Sequence, residues 1–345
     1  MTVRRRSSVA TTLIDNRHWS ELALCSPVTL PFLRWPGGKR WLPVQLVDLL
    51  RGIRFGRYFE PFLGGGAVYF ALRPANSTLS DLNEDLINTY RQVRRCPFVL
   101  ESALRALPVN ARTYGSIRAS CPRSAFDRAT RFLYLNRTAF AGMYRTNKSG
   151  MFNVPFGEPG RTLDVLWRGA RLSRAARALK GTELMACDFE EIVNRAGQGD
   201  LVYCDPIYSV VHNDNGFVRY NETVFSWRDQ ERLACAALRA RRRGATVLVS
   251  NANHPSVREL FREGITVALV RKSRLCPEGR YRRLTSEALF VLAPGPVAQE
   301  VSRVASAGVQ VAAHGVWRDV DRDHVIGPVS AEAWVGHGVS RRDRR

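Results

Sequence analysis

The chain has 345 residues, a formal net charge of +21 and 45% hydrophobic residues. This length suits one large domain or two smaller ones and supplies enough apolar material for a substantial core. The positive charge favours an anionic partner, most simply a nucleic acid. Nearly all of that charge is arginine, which genome base composition also inflates, so charge alone leaves nucleic-acid binding open.

Cysteine usage and hydropathy exclude several classes of protein. The seven cysteines form no CxxC pair and no histidine cluster accompanies them, which indicates reduced thiols and argues against a structural zinc site. No apolar run reaches the roughly 18 residues that a membrane span requires. Arg4–Arg6 precede no apolar secretory segment, although the Arg, Ser and Thr content there also resembles a transit peptide. We expect a cytoplasmic protein without a membrane or metal partner.

Two glycine-rich segments have the features of a ligand site. In the first, PFLRWPGGKRW, the glycine pair lets the backbone approach a ligand, Lys39 supplies a charge and Trp35 a flat apolar face, and a helix over Lys39–Arg51 is predicted to follow. In the second, YFEPFLGGGA, a short strand enters three glycines and then a helix, as in nucleotide sites. Asp81 ends the next predicted strand and is placed either to bind ribose hydroxyls or to cap the following helix, for which Asn83 is the other candidate cap.

Residues 96–180 interrupt the alternation of strands and helices. We predict helices over Pro97–Leu107, Thr113–Ala119, Ser124–Leu135 and Thr162–Ala178. Between them, Asn136–Gly157 predicts a hairpin whose turn is Asn147–Gly150. Its basic residues alternate with aromatic ones, which suits contact with DNA phosphates and a probe into the base stack, or else a solvated hairpin over a core. The basic residues are Arg137, Arg145 and Lys148, and the aromatic ones are Phe140, Tyr144, Phe152 and Phe156.

The alternation then resumes. We predict strands over Glu183–Ala186, Leu201–Cys204, Ala245–Ser250, Ile265–Val270 and Glu287–Leu292, a loop over His212–Glu222, and a helix capped by Ser226 with Asp229 at its third position. The resulting domain boundaries are a basic arm (1–29), a first catalytic part (30–95), a recognition insert (96–180), a second catalytic part (181–295) and a weakly structured basic tail (296–345).

The stretch DLVYCDPIY is the strongest candidate for chemistry. A buried strand stops at Asp205-Pro206-Ile207-Tyr208, and open α/β sheets bind ligands at that edge. A carboxylate and a proline carbonyl accept hydrogen bonds from an NH2 group, and a tyrosine ring offers a stacking face. The pattern therefore favours a planar amine substrate over an ordinary strand exit once the other segments are considered.

Six segments in this order resemble the Dam-type DNA adenine-N6 methyltransferases over about residues 31 to 293. They are FLRWPGGKRWL, YFEPFLGGGAVYF, LSDLNEDLINTY, FLYLNRTAFAGMYRTNKSGMFNVPFG, LVYCDPIY and LVSNAN. The resemblance implies a Rossmann-like, seven-stranded methyltransferase sheet of the α/β class, S-adenosyl-L-methionine as cofactor, and an inserted, mainly helical DNA-recognition domain that carries the hairpin.

The resemblance also assigns roles to single residues. Cofactor contacts match Trp35, Lys39, Glu60, Phe62, Gly64, Gly66, Asp81 and Asp205. The catalytic motif matches Asp205, Pro206 and Tyr208, with Ile207 where the family has a second proline. DNA contacts match Arg34, Arg145 and Asn147, to which the hairpin pattern adds Arg137 and Lys148. Ala141 and Glu158 replace polar or basic hairpin residues of close relatives, which leaves a GATC target open.

The expected activity is site-specific methylation of adenine N6 in double-stranded DNA by a monomeric protein. Two alternatives stay open: a DNA-binding relative disabled at Ile207, or an enzyme that methylates cytosine N4 or an RNA or protein amine. The sequence also leaves open whether a cognate restriction endonuclease exists.

Overall fold

A seven-stranded β-sheet organises the chain. The computed structural model describes residues 30–35, 37–39, 41–42, 46, 49–50, 53–147, 150–157, 171–209, 225–272 and 284–306, all within a compact unit bounded by Met1–His314. The predicted arm (1–29), the predicted loop His212–Glu222, and the residues Lys148 and Glu158 lie outside the described residues. Among the described residues, no helix is both long and apolar enough to cross a membrane.

The strands confirm the predicted Rossmann-like topology. They are β1 (Tyr58–Glu60), β2 (Ser77–Asp81), β3 (Glu183–Ala186), β4 (Leu201–Cys204), β5 (Thr246–Ala252), β6 (Ile265–Lys272) and β7 (Leu284–Leu292). Their order in the sheet is β3-β2-β1-β4-β5-β7-β6. β7 runs antiparallel to both of its neighbours, β5 and β6, and the other described pairs are parallel. β1 lies between β2 and β4, so the strand order proceeds to one side of β1 and then to the other. A crevice for ligands is expected at the carboxyl ends of the strands at such a point.

The sheet is buried on both faces, as parallel sheets are. Alternate residues of β4 enter different apolar clusters: Leu201 and Tyr203 join one, and Val202 and Cys204 join the other. This is the period of two that side chains follow along a strand. The strands therefore form the middle of three layers, with helices on both sides.

The helices cover those two faces. They are α1 (Ala67–Leu72), α2 (Glu84–Arg95), α3 (Pro97–Arg105), α4 (Ala111–Ala119), α5 (Ala125–Thr138), α6 (Arg171–Ala178), α7 (Phe189–Arg195), α8 (Trp227–Arg242), α9 (Pro255–Leu260) and α10 (Gly295–Ser306). Of the two candidate caps for α2, Asn83 is the one used, because its side chain accepts from Leu86 N at 3.0 Å. Ser226 and Asp229 form the capping box expected at the start of α8.

The prediction of a weakly structured tail is wrong for residues 296–306, and the rest of that predicted tail, 307–345, lies outside the described residues. The predicted weakly structured tail begins instead with α10, whose Val301 and Ala305 are buried in the apolar cluster that also contains the first helices. The Ala- and Val-rich segment alternates apolar and polar residues with a helical period, a pattern hidden by its Pro and Gly content.

The insert shares a core with the rest of the chain. Leu100 and Leu104 of α3 and Leu133 of α5 belong to the same buried cluster as Leu79 of β2. The two parts are further joined by Arg128 of α5, whose guanidinium pairs with carboxylates of α2. The predicted boundary near residue 96 therefore separates regions of sequence that pack as one body.

Candidate active site

The strands β1, β2 and β4 each deliver one carboxylate to the same edge of the sheet. Glu60 ends β1, Asp81 ends β2, and Asp205 immediately follows β4. Because the strands are parallel neighbours, their carboxyl ends lie side by side. This edge brings the three predicted acidic residues together.

Four side chains meet beyond β4 and form what we call the charged cluster: Lys39, Asp205, Tyr208 and Glu287. Lys39 Nζ lies 2.9 Å from Asp205 Oδ1 and 3.5 Å from Glu287 Oε2. Tyr208 donates its hydroxyl hydrogen to Glu287 Oε2 at 2.9 Å, and Lys39 Nζ lies 4.7 Å from the centroid of the Tyr208 ring. The lysine thus connects the predicted catalytic motif to the first glycine-rich segment.

Burial and mutual charge set the protonation of this cluster. Burial raises the pKa of Asp205, and the ammonium of Lys39 opposes that rise. Burial on its own would lower the pKa of Lys39, but the nearby carboxylates of Asp205 and Glu287 raise it well above its usual range. Lys39 is therefore a fixed positive charge at neutral pH, and its proximity favours the ionised form of Asp205.

The glycine-rich turn after β1 fits closely around Trp35. Gly64 has φ +46°, and a Cβ added there would lie 2.7 Å from Trp35 Cδ1, so glycine is required for space as well as for backbone conformation. Gly66 also has positive φ, at +66°. Asp81 holds this turn, because its Oδ2 accepts from Gly64 N at 3.0 Å while its Oδ1 accepts from Asn83 N at 3.0 Å. Burial raises the pKa of Asp81, opposed by these backbone hydrogen bonds.

Glu60 is the most deeply buried of the three acids, at 2% exposed. Tyr58 donates to its Oε2 at 2.7 Å. Burial raises the pKa of Glu60 to about 8, helped by the nearby charge of Asp205 and opposed by the Tyr58 hydrogen bond. Phe62, two residues on, stacks against Phe189 with ring centroids 5.3 Å apart. The predicted cofactor residues Glu60 and Phe62 therefore line the start of the same turn.

Trp35 also contacts the insert. Its ring stacks on Tyr144 of the hairpin with centroids 5.3 Å apart and an interplanar angle of 23°, and on Phe132 of α5 at 6.3 Å and 20°. One aromatic side chain thus joins the glycine-rich turn to the predicted DNA-recognition hairpin.

The backbone of Arg34 is held by a side chain of α5. Asn136 of α5, which is 0% exposed, accepts from Arg34 N at 2.9 Å and donates through Nδ2 to Arg34 O at 2.6 Å. Gly142 has φ +64°, and its missing Cβ leaves room for the aliphatic part of Arg34. These contacts bring the predicted DNA contact at Arg34 to the base of the hairpin.

The hairpin itself has the expected antiparallel pairing, with bridges Ala139–Phe156 and Thr146–Phe152. Asn147 stabilises its turn, because its Oδ1 accepts from Met151 N at 2.9 Å. Arg145 donates from Nε to Asn153 Oδ1 at 2.8 Å across the hairpin. Arg145 and Asn147 therefore share one hairpin, where both have a structural contact.

Arg137 is the predicted DNA contact whose position does not suit the role. It lies on α5 and is 2% exposed, so it could not reach a phosphate without a rearrangement. The aromatic residue three positions further on, Phe140, is instead 51% exposed. The alternation of basic and aromatic residues did not reveal that α5 extends to Thr138 and turns Arg137 inward.

Sequence reasoning missed Glu287 and Asn136. Glu287 pairs with Ala252 of β5 in the sheet and is 3% exposed. A glutamate directly before the apolar run of this strand was the available signal, because a buried carboxylate needs a partner. Asn136 carried no comparable signal, since its partner is a backbone 102 residues away.

Comparisons with known proteins agree with this arrangement. The family model of the D12 class N6 adenine-specific DNA methyltransferases matches residues 35–275. The type II methyltransferase M1.LlaDCHI of Lactococcus lactis subsp. cremoris is 33% identical over 241 residues, which cover 68% of this chain and 84% of that protein. The DNA adenine methylase of Escherichia coli is 33% identical over 274 residues, covering 77% of this chain and 96% of that protein.

A third relative extends the same pattern. The DNA adenine methylase of Vibrio cholerae is 33% identical over 278 residues, which cover 76% of this chain and 96% of that protein. The family match spans both glycine-rich segments, the hairpin and the catalytic motif. The chain therefore belongs to the D12 class of N6 adenine-specific DNA methyltransferases.

Proposed function

We propose that this chain methylates the N6 amino group of adenine at a specific sequence in double-stranded DNA. The proposal rests on Asp205, whose carboxylate follows β4 directly and has Lys39 Nζ 2.9 Å from Oδ1. With Oδ1 held by Lys39, Oδ2 is the acceptor for one amino hydrogen of the adenine. The carbonyl of Pro206 accepts the other.

The amino group of adenine is a poor nucleophile because its lone pair is conjugated with the ring. Hydrogen bonds from both amino hydrogens to Asp205 and Pro206 favour a pyramidal nitrogen whose lone pair points away from the ring. A base inside the duplex cannot reach this edge, so it must leave the stack. Tyr208, with Lys39 over one ring face, would stack on the flipped base with its other face. Most of the rate would then come from positioning and preorganised charge.

S-adenosylmethionine is the usual methyl donor of methyltransferases, and we propose it as the cofactor here. When bound, it supplies an electrophilic methyl group. The residues at the edge of β1 and β2 fit such a molecule, because the carboxylate of Asp81 has acceptor capacity beyond its bonds to Gly64 N and Asn83 N. Leu82, next to it, is 72% exposed and offers an apolar surface to a purine ring.

DNA recognition is assigned to the hairpin and to Arg34. Arg145 has its Nε held by Asn153, which leaves its terminal nitrogens as the donors for a base edge. The exposed ring of Phe140 suits insertion into a base stack from which an adenine has left. The name of one relative, a type II methyltransferase, keeps open a cognate restriction endonuclease for this chain.

The test is methyl transfer from labelled S-adenosylmethionine to duplex DNA, RNA and protein, each of mixed sequence, followed by nucleoside analysis. We expect label only in DNA and only as N6-methyladenine. Asp205→Ala should abolish transfer, while Asp85→Ala, which removes a carboxylate paired with Arg128 on α2, should not. Label in N4-methylcytosine, RNA or protein, or no transfer at all, would contradict the proposal.

A further inference from the structure

One buried side chain holds the polypeptide on both sides of Tyr208. Gln230 of α8 is 1% exposed. Its Nε2 donates to Ile207 O at 3.3 Å and to Ser209 Oγ at 3.1 Å. The two acceptors are the residues immediately before and after Tyr208, so a single amide group brackets the tyrosine of the catalytic motif.

The orientation of that amide is set from the sheet. Asn251 of β5 is 0% exposed and donates from Nδ2 to Gln230 Oε1 at 2.9 Å. Its own Oδ1 accepts from Ala252 N at 2.8 Å. Since Asn251 must donate to Gln230, the NH2 group of Gln230 faces the loop. Ser209 donates onward to Phe225 O at 2.9 Å, which completes a chain of bonds from β5 to the catalytic loop.

These bonds hold the backbone at Ile207, the position where a proline would supply a covalent restraint. A proline at position 207 would restrict Pro206 to extended geometry and fix its own φ near −65°. Ile207 lacks both effects, although its β-branched side chain favours extended backbone. Gln230 holds the carbonyl of Ile207, so a restraint on the backbone of this residue comes from the protein core.

We propose that Gln230 is a positioning residue for methyl transfer, and that with Asn251 it supplies the loop restraint that a second proline would otherwise provide. This rests on the proposed function of the same site. Gln230 contacts neither base nor cofactor in this scheme; it acts through the backbone that carries Pro206 O and Tyr208. Loss of Gln230 should therefore lower kcat and leave the affinity for the cofactor unchanged.

Gln230→Met tests this, because methionine keeps the length of the side chain and removes both of its hydrogen-bonding groups. We expect kcat to fall about tenfold, as for the loss of roughly 1.4 kcal/mol of hydrogen bonding, with KM for S-adenosylmethionine unchanged. Leu233→Ala is the matched control: Leu233 lies on the same helix and is 0% exposed in the apolar core. It should lower thermal stability and leave kcat near the parent value.

Rescue by a covalent restraint separates positioning from general stability. In the Gln230→Met background, Ile207→Pro should restore most of the lost kcat, a larger gain than it gives the parent. It should give no comparable gain in the Leu233→Ala background. Equal gains in all three backgrounds would overturn the proposal.

Amide hydrogen exchange of residues 207–209 provides a readout that needs no activity. Gln230→Met should speed exchange of these amides well beyond any change caused by Leu233→Ala. If exchange and kcat both stay at parent values, Gln230 has no positioning role. If the parent transfers no methyl group, the proposed function fails while exchange still tests the restraint. Should Gln230→Met not fold, Gln230→Glu keeps the acceptor for Asn251 and replaces the donor to Ile207 O.

Discussion

Ile207 is the residue at which the catalytic motif of this chain departs from the family pattern. Its side chain is 38% exposed, so it adds little to the core, and its importance lies in its backbone. The carbonyl accepts from Gln230, the restraint that we propose takes the place of a second proline. The departure therefore predicts a slowed enzyme and not an inactive one.

Ile207→Pro should raise the rate of methyl transfer modestly, because the loop is already held and the proline adds only its own φ restriction. Single-turnover transfer to DNA measures this. A loss of activity on Ile207→Pro would show that the isoleucine N–H is needed. No transfer by either protein would favour a DNA-binding relative without catalysis.

Glu60 should make stability depend on pH. In the folded chain its pKa is about 8, against an ordinary value of 4.5, chiefly because of burial. Between these values the unfolded chain releases a proton that the folded chain keeps, so stability falls as pH rises from about 4.5 to about 8, by at most roughly 1.4 kcal/mol per pH unit. The free energy of unfolding of Glu60→Gln, measured by denaturant titration, should lack this component. An identical pH profile for both proteins would remove Glu60 as its source.

The arginines show why the net charge alone did not establish nucleic-acid binding. Several donate to backbone carbonyls at the ends of helices and strands, as Arg91 does to Leu184 O at 2.7 Å and Arg243 to Ala196 O at 2.8 Å. A guanidinium has five N–H donors and is well suited to this work. Part of the +21 charge thus has a structural use away from any DNA, which composition could not reveal.

Among the elements, the glycine-rich turn gives the sharpest test of the cofactor site. Gly64→Ala would place a Cβ 2.7 Å from Trp35 Cδ1 at a backbone φ of +46°, and the left-handed conformation alone costs about 1–2 kcal/mol for an L-residue. We expect binding of S-adenosylmethionine, measured by calorimetry, to weaken at least about tenfold.

Gly56→Ala is the control for that change, because a Cβ there meets nothing within 4 Å. It should bind the cofactor as the parent does. If Gly64→Ala also binds normally, the turn is not part of the cofactor site.

For the hairpin, the expected loss is in DNA-binding affinity. Arg145→Ala should weaken binding to the target sequence by about 1–3 kcal/mol more than binding to unrelated DNA, if the terminal nitrogens of Arg145 donate to a base edge. Titrations with both DNAs at two salt concentrations measure this, and Arg112→Ala, an exposed arginine of α4, is the control. Equal losses on both DNAs would reassign Arg145 to phosphate contact.

The elements also show what sequence patterns could and could not predict. Runs of apolar residues gave β3 and β4 with their observed bounds, since buried parallel strands have a strong local signal. The short helices α7 and α9 lie between strands and are too brief for a clear helical period. Glu287 and Asn136 act through residues distant in sequence, and local patterns do not encode such pairings.

For the whole molecule, α10 should contribute to the stability of the core. Val301 is 0% exposed, and burying such a side chain contributes about 1.5–3 kcal/mol. Deletion of 296–345 should therefore lower the midpoint of thermal unfolding more than deletion of 307–345, as calorimetry would show. Equal midpoints for the two truncated chains would mean that α10 adds nothing to stability.

The two hydrogen bonds between the side chain of Asn136 and the backbone of Arg34 have a consequence for engineering new target specificity. The recognition region cannot be exchanged as a cassette cut at residues 96 and 180, because α5 would then meet a foreign segment around Arg34 and Trp35. A chimera that transplants residues 31–35 together with the insert preserves this joint. Grafting only the hairpin tip beyond Tyr144 leaves both these bonds and the Trp35–Tyr144 stack untouched, which makes the tip the natural unit for a specificity library.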